Sequence, residues 1–245
     1  MIELDDVHKV YADGHVALRA VTLTIARGTT LALLGPSGCG KTTTLKLINR
    51  LLTPTGGRIR IDGRDTAEVD PIHLRRGIGY VVQDAGLFPH LTAAANVEVV
   101  PSLLGWPTAR RAARTRELFT LIGLDEATIA DRYPAQLSGG QRQRIGLARA
   151  LAADPPIVLM DEPFGALDPV TRRRLQDEFL ALQARLRKTV VLVTHDVAEA
   201  FRLADRIAVM EGGTVVQVGA PEAIRAAPAS PFVAAFLDSG GPAPS

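Results

Sequence analysis

Residues 35–43 read Gly-Pro-Ser-Gly-Cys-Gly-Lys-Thr-Thr and constrain the chain more than any other stretch. From Gly35 to Thr42 they fit the pattern G-x-x-x-x-G-K-[ST], which forms a phosphate-binding loop between a strand and a helix. An apolar, β-prone stretch (29–34) precedes the pattern, and a helical pattern (43–52) follows it. Because glycine has no Cβ, the backbone of the loop can turn several N–H groups onto one phosphate chain. The sequence therefore predicts a phosphate loop at residues 35–43.

The sequence predicts the chemistry of three side chains in this loop. Lys41 can place its ammonium group between the β- and γ-phosphates, and the Thr42 hydroxyl can ligate the Mg²⁺ that accompanies a triphosphate. The positive dipole end of the following helix also favours a bound phosphate. Cys39 lies near the same helix end, which favours its thiolate form. We therefore expect alkylation of Cys39 to block nucleotide binding.

Composition restricts the class of protein. The chain has 245 residues, of which 47% are hydrophobic, and this favours a folded α/β domain over disorder. The formal net charge is +2 and the basic residues are spread along the chain, so no nucleic-acid partner is implied. A single cysteine suits a reducing cytoplasm. No apolar run approaches the roughly 18 residues of a spanning helix, so a membrane role would require a partner.

The apolar spacing predicts strands alternating with helices. The predicted strands are 1–10, 16–25, 29–34, 58–61, 77–83, 157–160, 190–193, 206–210 and 214–218. The predicted helices are 43–52, 93–104, 109–122, 139–153, 170–187, 221–226 and 231–237. In the first strand we expect Ile2, Leu4 and Val10 to point inward. The wholly apolar strands between helices predict a mainly parallel sheet covered on both faces.

The domain organisation predicted from this pattern is one domain with an insertion. Residues 1–87 and 154–238 form the α/β core with an antiparallel β subdomain, residues 88–153 form a helical subdomain, and residues 239–245 fray. The helical part contains a run of arginines that is either a nucleic-acid patch or a solvated helix face. No aromatic residues are interleaved to stack on bases, which favours the solvated face. The run comprises Arg110, Arg111, Arg114 and Arg116.

Polar side chains follow several of the apolar strands. Gln83, the pair Asp161-Glu162 and His195 occupy such positions, where parallel sheets bind ligands. Adjacent residues on a strand project to opposite sides, so Asp161 can face a metal while Glu162 faces a water. Taken singly, Gln83 and His195 could equally be ordinary loop residues. Tyr11, upstream of the phosphate loop, is either a core residue or a surface on which adenine stacks.

A second motif, Leu137-Ser138-Gly139-Gly140-Gln141, opens a predicted helix with Ser138 as a natural N-cap. Alone it is either an ordinary capped helix start or an anion-binding helix end. Together with the phosphate loop, the Asp161-Glu162 pair and His195 in this order, it makes the chain resemble the ATPase subunit of an ATP-binding cassette transporter. The resemblance implies the P-loop NTPase fold, ATP and Mg²⁺ as cofactors, and hydrolysis of ATP.

The resemblance also implies roles for individual residues. The implied ATP-binding residues are Tyr11, Gly35, Pro36, Ser37, Gly38, Cys39, Gly40, Lys41, Thr42 and Thr43. The residues implied to bind the partner subunit's ATP are Ser138, Gly139, Gly140, Gln141 and Asp168. Mg²⁺ is assigned to Thr42, Gln83 and Asp161. The implied catalytic residues are Glu162 as general base, His195 as γ-phosphate sensor, Gln83 and Lys41. Because one chain would then serve two nucleotides, function requires a two-fold homodimer.

The segment from Gly77 to Trp106 is similar to ATPases that energise import of quaternary ammonium osmoprotectants such as glycine betaine, carnitine and choline. This likeness implies a multi-spanning permease, an extracytoplasmic binding protein, and a peripheral location on the cytoplasmic face of the membrane. Residues 84–90 and the helical subdomain are expected to face the permease.

The chain also departs from the group's pattern. Gln136 stands where a glutamate often precedes the signature, and the chain stops too soon after Phe236 to hold the regulatory modules of many members. An exporter ATPase would share every ATP-site motif, but residues 83–106 and the lack of a fused membrane domain disfavour it. A soluble cassette protein of DNA repair or translation would need a coiled coil or a second cassette.

Overall fold

The computed structural model describes residues 1–83, 85–165 and 167–240. Asp84, in the segment expected to face the permease, Ala166, and residues 241–245 of the predicted frayed tail (239–245) lie outside the described residues. The chain divides into two compact units. The first unit consists of residues 1–75 together with the residues from Lys188 onward. The second unit consists of Arg76–Arg187.

The first unit contains an antiparallel sheet and a group of mainly parallel strands. The antiparallel sheet has the order β2-β1-β4-β5. Its strands are β1 (Ile2–Val10), β2 (Val16–Ile25), β4 (Gly56–Ile61) and β5 (Arg64–Asp65). In the other group β3 pairs in parallel with β8 and β9, and β10 pairs antiparallel with β9. These strands are β3 (Thr30–Leu34), β8 (Thr189–Thr194), β9 (Arg206–Glu211) and β10 (Thr214–Gly219).

Helices cover the parallel strands of the first unit. All five residues of β3 and all six of β8 are buried, as expected for strands covered on both faces. One side is packed by an apolar cluster around Ala32, Ile207 and Val233. The helices of this unit are α1 (Lys41–Ile48), α8 (Val197–Leu203), α9 (Pro221–Ala226) and α10 (Pro231–Asp238), while α2 (Pro71–Arg76) ends at the unit boundary.

The second unit is mainly helical and contains one parallel strand pair. Strand β6 (Ile78–Val81) pairs with β7 (Ile157–Asp161). The helices are α3 (Ala93–Leu103), α4 (Thr108–Leu121), α5 (Glu126–Ile129), α6 (Gly139–Leu151) and α7 (Pro169–Leu186). Leu175, Phe179 and Leu182 form the buried stripe of α7 that the spacing predicts. In the described residues no helix is long and apolar enough to cross a membrane.

These elements confirm the predicted α/β class, with corrections in detail. Val10 is 39% exposed rather than inward, because register shifts in β1 and a left-handed Asp6 (φ 51°) change which face the later residues occupy. The helix after the phosphate loop begins at Lys41 and ends at Ile48, not at residues 43 and 52. The short helix α5, which the sequence pattern did not predict, begins where Asp125 caps the backbone N–H of Ala127.

Candidate functional site

The phosphate loop joins β3 to α1, as the motif predicts. Gly40 is the residue before α1 and has φ 104°, a conformation that favours glycine. Gly35 is required for a different reason, since a Cβ there would lie 2.3 Å from the carbonyl oxygen of Met210. A Cβ on Gly40 would also lie 2.5 Å from Leu18 Cδ2. The fold of the first unit itself therefore demands glycine at these two positions.

Lys41 is held against the phosphate loop. Its ammonium donates to the carbonyl oxygens of Gly35 at 2.7 Å and Pro36 at 2.8 Å, and the residue is buried. These bonds fix the cation beside the loop before any ligand arrives, which lowers the cost of ordering a long side chain on binding. Thr42 and Thr43, in the first turn of α1, are half-buried.

Tyr11 lies beside the loop rather than in the core. Its hydroxyl is 3.2 Å from Thr43 Oγ1, and its ring stacks on His15 with 6.1 Å between the centroids. The ammonium of Lys9 lies 5.5 Å from the same ring centroid. A half-buried aromatic ring next to a phosphate loop is placed where a nucleotide base could stack, so the structure favours this alternative over core packing.

Cys39 contradicts the expectation of a thiolate. The side chain is 3% exposed, and burial raises the pKa of the thiol although the nearby Lys41 lowers it. Desolvation of the charged form exceeds the benefit of the cation, so the thiol stays protonated at neutral pH. The helix end can be read from the sequence, whereas the burial of Cys39 arises from the packing of the unit.

Two adjacent carboxylates lie at the end of β7 and have different surroundings: Asp161 is the last residue of the strand and Glu162 follows it. Asp161 is buried, with 7% of its surface exposed, and it accepts a hydrogen bond from the hydroxyl of Tyr80 on β6. Burial and the neighbouring Asp161 carboxylate raise the pKa of Tyr80 to about 12. Tyr80 was not among the predicted site residues, although its place three residues before Gln83 on the same strand end could have indicated it.

Glu162 is half-buried and has φ 45°, which is uncommon for a residue with a side chain. Gln83 Nε2 donates to Glu162 Oε2 at 3.4 Å, so the structure brings these two predicted catalytic residues together. Strained backbone of this kind clusters at functional sites. Gln83 itself lies two residues beyond the end of β6, in a turn, rather than at the tip of the strand.

The signature motif forms the start of α6, which we call the signature helix. Ser138 Oγ accepts from the backbone N–H of Gln141 at 3.2 Å, and Gln141 Oε1 accepts from the N–H of Ser138 at 2.9 Å. This reciprocal pair is a capping box, so Gln141 serves its own helix in this structure. Both glycines of the motif remain uncovered: Gly139 is exposed and Gly140 half-buried.

The signature lines an open groove of about 590 Å³ within the second unit, which we call the signature groove. All five residues predicted to serve a partner's nucleotide line it: Ser138, Gly139, Gly140, Gln141 and Asp168. Asp168 caps α7, and its acceptance of hydrogen bonds from Thr171 and Val170 lowers the pKa of its carboxyl. Arg144 and Arg174 line the same groove and add positive charge. The groove is thus large enough and polar enough for part of an anionic ligand.

His195 follows β8 in a turn held by neighbouring side chains. The hydroxyl of Thr194 donates to the carboxylate of Glu199 in a short bond, and both residues are buried. The backbone N–H of Asp196 donates to Thr194 Oγ1 at 3.0 Å, and Asp196 Oδ1 accepts from the N–H of Glu199 at 3.0 Å. This network fixes the turn on which half-buried His195 is presented.

The arginine run of α4 lies on a helix face whose guanidinium groups contact other parts of the protein. Arg111 pairs with Glu98 at 3.0 Å, Arg116 pairs with Glu126 at 3.0 Å, and Arg110 stacks over the ring of Trp106. Arg114 donates to the carbonyl oxygens of Leu151 and Ala152. The guanidinium groups are engaged within the protein, which supports the solvated-face alternative.

Comparison with known proteins gives the family. The sequence profile described as ABC transporter matches residues 18–165, more than half of the chain. The chain belongs to the ABC transporter family. This ABC chain is 55% identical over 237 residues to the glycine betaine/carnitine/choline transport ATP-binding protein OpuCA of Bacillus subtilis, covering 97% of this chain and 62% of OpuCA. It is also 48% identical to the glycine betaine uptake system ATP-binding protein YehX of Escherichia coli, covering 97% of this chain and 76% of YehX.

Solved structures agree with the family assignment. The dimeric, post-hydrolysis ATP-binding cassette MJ0796 bound to ADP and phosphate superposes with a TM-score of 0.81 at 38% identity. The match covers 90% of this ABC chain and 99% of MJ0796. The predicted P-loop NTPase fold is confirmed. The chain spans less than two thirds of the length of OpuCA, and the other transport proteins compared are also longer than the matched region.

Proposed function

We propose that the chain binds and hydrolyses ATP as a homodimer and energises an importer of quaternary ammonium osmoprotectants. The signature groove carries the dimer proposal, because all five residues assigned to a partner's ATP line one open surface. Such a surface is complete only when a second copy brings a phosphate chain to it, and a two-fold dimer does this twice.

The chemistry proposed for the site is attack of water on the γ-phosphorus of ATP. The bond between that phosphorus and the β–γ bridging oxygen breaks, which gives ADP and inorganic phosphate. Glu162 orients the water and takes its proton, and Gln83 holds the Glu162 carboxylate from 3.4 Å. Lys41, together with the backbone N–H groups of the phosphate loop, neutralises charge that develops on the phosphates.

Mg²⁺ fits the donor set assigned to it. Thr42, Gln83 and Asp161 offer oxygen ligands, and Asp161 is a buried carboxylate supported by Tyr80. In the part of the chain that is described, no cluster of three or more His, Cys, Asp or Glu residues could hold a metal by itself. Mg²⁺ typically uses one or two carboxylates together with substrate phosphates, so it suits this site. When bound, it supplies charge neutralisation at the phosphates.

The partners and substrate are proposed from the likeness to transport proteins. OpuCA is named for transport of glycine betaine, carnitine and choline, and YehX for uptake of glycine betaine. We expect a permease and an extracytoplasmic binding protein to act with this chain on the cytoplasmic face of the membrane. Opening and closing of the ATP dimer is a motion that a permease can use.

The dimer is tested with Glu162→Gln. The variant removes the base but keeps the phosphate loop, so with Mg-ATP it should form a stable dimer by light scattering. Lys41→Ala is the matched control: it should not bind ATP and should stay monomeric under the same conditions. A monomeric Glu162→Gln protein with ATP shown to be bound would contradict the proposal.

The substrate is tested by uptake in cells. Deletion of the gene should abolish uptake of labelled glycine betaine, carnitine or choline at high osmolarity once redundant importers are also deleted. The wild-type gene should restore this uptake and the Glu162→Gln gene should not. Unchanged uptake would refute the osmoprotectant assignment and leave the ATPase proposal standing.

A further inference from the structure

The loop that follows Gln83 is attached to the signature helix at two adjacent residues. Arg149, in the last turn of that helix, donates from Nη2 to the carbonyl oxygen of Ala85 at 2.8 Å and from Nη1 to that of Gly86 at 2.7 Å. Both acceptor residues have positive φ, 60° and 51°. Two charged hydrogen bonds from one planar guanidinium fix orientation as well as distance.

Packing brings the helix and the loop into direct contact at the same place. A Cβ on Gly146, one turn before Arg149 on the signature helix, would lie 3.1 Å from the Cβ of Ala85. The strand that leads into the loop is equally close, since a Cβ on Gly79 of β6 would lie 2.4 Å from the carbonyl oxygen of Ala150. Without side chains at these glycines, the helix lies directly against the strand and loop that carry Gln83.

Burial strengthens the Arg149 attachment. Desolvation lowers the pKa of the guanidinium, so the group is partly removed from water, where hydrogen bonds to a charged donor gain strength. The exposed ring of Phe88, further along the loop, lies 5.7 Å from the guanidinium carbon of the same arginine. The described loop residues nearest to Gln83 are therefore fixed to the signature helix.

The rest of the loop is fixed to a different helix. Asn96 of α3 is fully buried; its side chain accepts from the N–H of Phe88 at 2.8 Å and donates to the carbonyl oxygens of Phe88, Leu91 and Thr92. The later part of the loop is thus held by hydrogen bonds to Asn96, and the part next to Gln83 is held by hydrogen bonds to Arg149.

We propose that Arg149 is a positioning residue that makes the signature helix carry Gln83, so that a shift of the signature changes the distance from Gln83 to Glu162. The proposal rests on the ATPase function proposed above. Contact of the signature with a partner's nucleotide would then adjust the base of the chain's own site through a rigid helix about four turns long. Arg149 touches neither nucleotide in this scheme.

The experiment compares Arg149→Ala with Arg114→Ala. Arg114 is the matched control, because it also donates to two carbonyl oxygens at the end of the same helix, of Leu151 and of the C-cap Ala152, and neither acceptor belongs to the loop. We expect Arg149→Ala to lower kcat at least about tenfold, the equivalent of about 1.4 kcal/mol, with ATP affinity within twofold of wild type. Arg114→Ala should keep kcat within twofold, and Arg149→Lys should fall between wild type and Arg149→Ala. Equal losses of kcat in the two alanine variants would overturn the proposal.

A second pair of variants keeps the test decisive if Arg149→Ala fails to fold. Gly146→Ala places a methyl group against Ala85 and should lower kcat while the arginine is intact. Ala85→Gly in the same protein removes the nearest opposing atom and leaves the Cα and carbonyl oxygen of residue 85 at 3.3 Å, so it should restore part of kcat. No rescue by Ala85→Gly would refute the docking of the loop on the helix.

Amide hydrogen exchange separates this inference from the ATPase proposal. Arg149→Ala, or Gly146→Ala where that variant is used, should speed exchange in residues 85–88 with exchange in α3 unchanged. Unchanged exchange in residues 85–88 refutes the attachment. A wild-type protein that binds ATP but does not hydrolyse it refutes the ATPase proposal, while the exchange result still decides whether Arg149 or the Gly146 contact holds the loop.

Discussion

The phosphate loop and the signature both contain glycines, but Gly35 and Gly139 differ in the space that the fold leaves for a side chain. A Cβ at Gly35 would overlap the backbone of Met210, so its own unit excludes a side chain. At Gly139 the nearest atoms to an added Cβ are 3.9 Å away, which is ordinary contact. Nothing described in its own unit forbids a side chain there. Its own unit thus determines the glycine at Gly35, whereas the open surroundings of Gly139 are consistent with the proposed binding of a partner's nucleotide.

The sharpest test of this contrast exchanges one glycine in each motif. Gly35→Ala should lower the free energy of unfolding by about 1–3 kcal/mol or prevent folding, because overpacking against backbone is costly. Gly139→Ala should leave that free energy unchanged or raise it by up to about 1 kcal/mol, since alanine favours the first turn of a helix. It should nevertheless lower ATP hydrolysis at least about tenfold if the added methyl group meets a partner's nucleotide.

Urea unfolding and steady-state ATPase assays measure the two effects separately. Gly56→Ala provides a control for loss of glycine alone, because φ is not positive at Gly56 and the nearest atom to an added Cβ, in His8, is 3.5 Å away. A large loss of stability in Gly139→Ala, with activity following stability, would remove the distinction between the two motifs.

The alkylation rate of Cys39 measures how well the folded phosphate loop protects this thiol from reagents in solution. Because burial raises the pKa of this thiol, we expect iodoacetamide at pH 7.5 to react with the native protein at least about tenfold more slowly than with the protein in urea, where the thiol has a pKa of about 8.5. The neutral thiol favours the folded state, so its contribution to stability is complete below the unfolded pKa and is lost as pH rises through the folded value. Cys39→Ala should remove this alkaline loss.

Mass spectrometry of the modified peptide gives the rate, and urea unfolding at pH 7 and pH 10 gives the stability difference. Rapid native alkylation would show that the loop opens often, and the first unit would then not fix its motif as tightly as the geometry indicates.

The variant Tyr80→Phe tests whether a site residue of the second unit, Asp161, is also held in place by contacts within its own unit. The change removes the hydrogen bond to buried Asp161, so we expect about 1 kcal/mol less stability. The Mg²⁺ concentration for half-maximal ATPase should rise about two- to tenfold, because the carboxylate loses its orientation. Tyr133→Phe, at an exposed tyrosine of the same unit, should leave both quantities unchanged. Equal Mg²⁺ dependence in the two variants would contradict a role for Tyr80.

Arg116→Ala has the smallest expected effect. The Arg116–Glu126 pair joins side chains that are 67% and 37% exposed, so its loss should change the free energy of unfolding by less than about 0.5 kcal/mol. Urea unfolding checks this value. Salt-dependent binding of single-stranded DNA by the wild type, lost in the variant, would revive the nucleic-acid alternative for this helix.

Much of the fold could be predicted from the sequence where one residue pattern has one physical meaning. Wholly apolar runs such as 157–160 gave buried parallel strands, and Ser138 formed the expected N-cap. The prediction that Val10 points inward was wrong because the face that a residue occupies reverses at each bulge, and the position of a bulge depends on the neighbouring strand. Helix α1 ends early at Ile48, just before Arg50, which has φ 54° and donates to the carbonyl oxygens of Thr66 and Val69.

The sequence predicted which residues belong to the candidate site, but it did not predict the burial or the hydrogen-bond partners of those residues. The sequence indicated Gln83 and Glu162, and the structure places them 3.4 Å apart. It did not indicate Tyr80 or Arg149, because a strand tyrosine and a helix arginine are ordinary until their partners are known. It misjudged Cys39 because desolvation is a property of the packed unit. The assigned roles of the site residues remain predictions.

Glu162 has a consequence for engineering this chain. Its left-handed backbone would be relaxed by glycine, and strain at such positions is worth about 1 kcal/mol or more. Laboratory selection for heat resistance alone should therefore favour Glu162→Gly, which removes the proposed base. Under the osmoprotectant import proposed above, selection for survival under osmotic stress should retain the glutamate, so the two regimes would select different residues at one position.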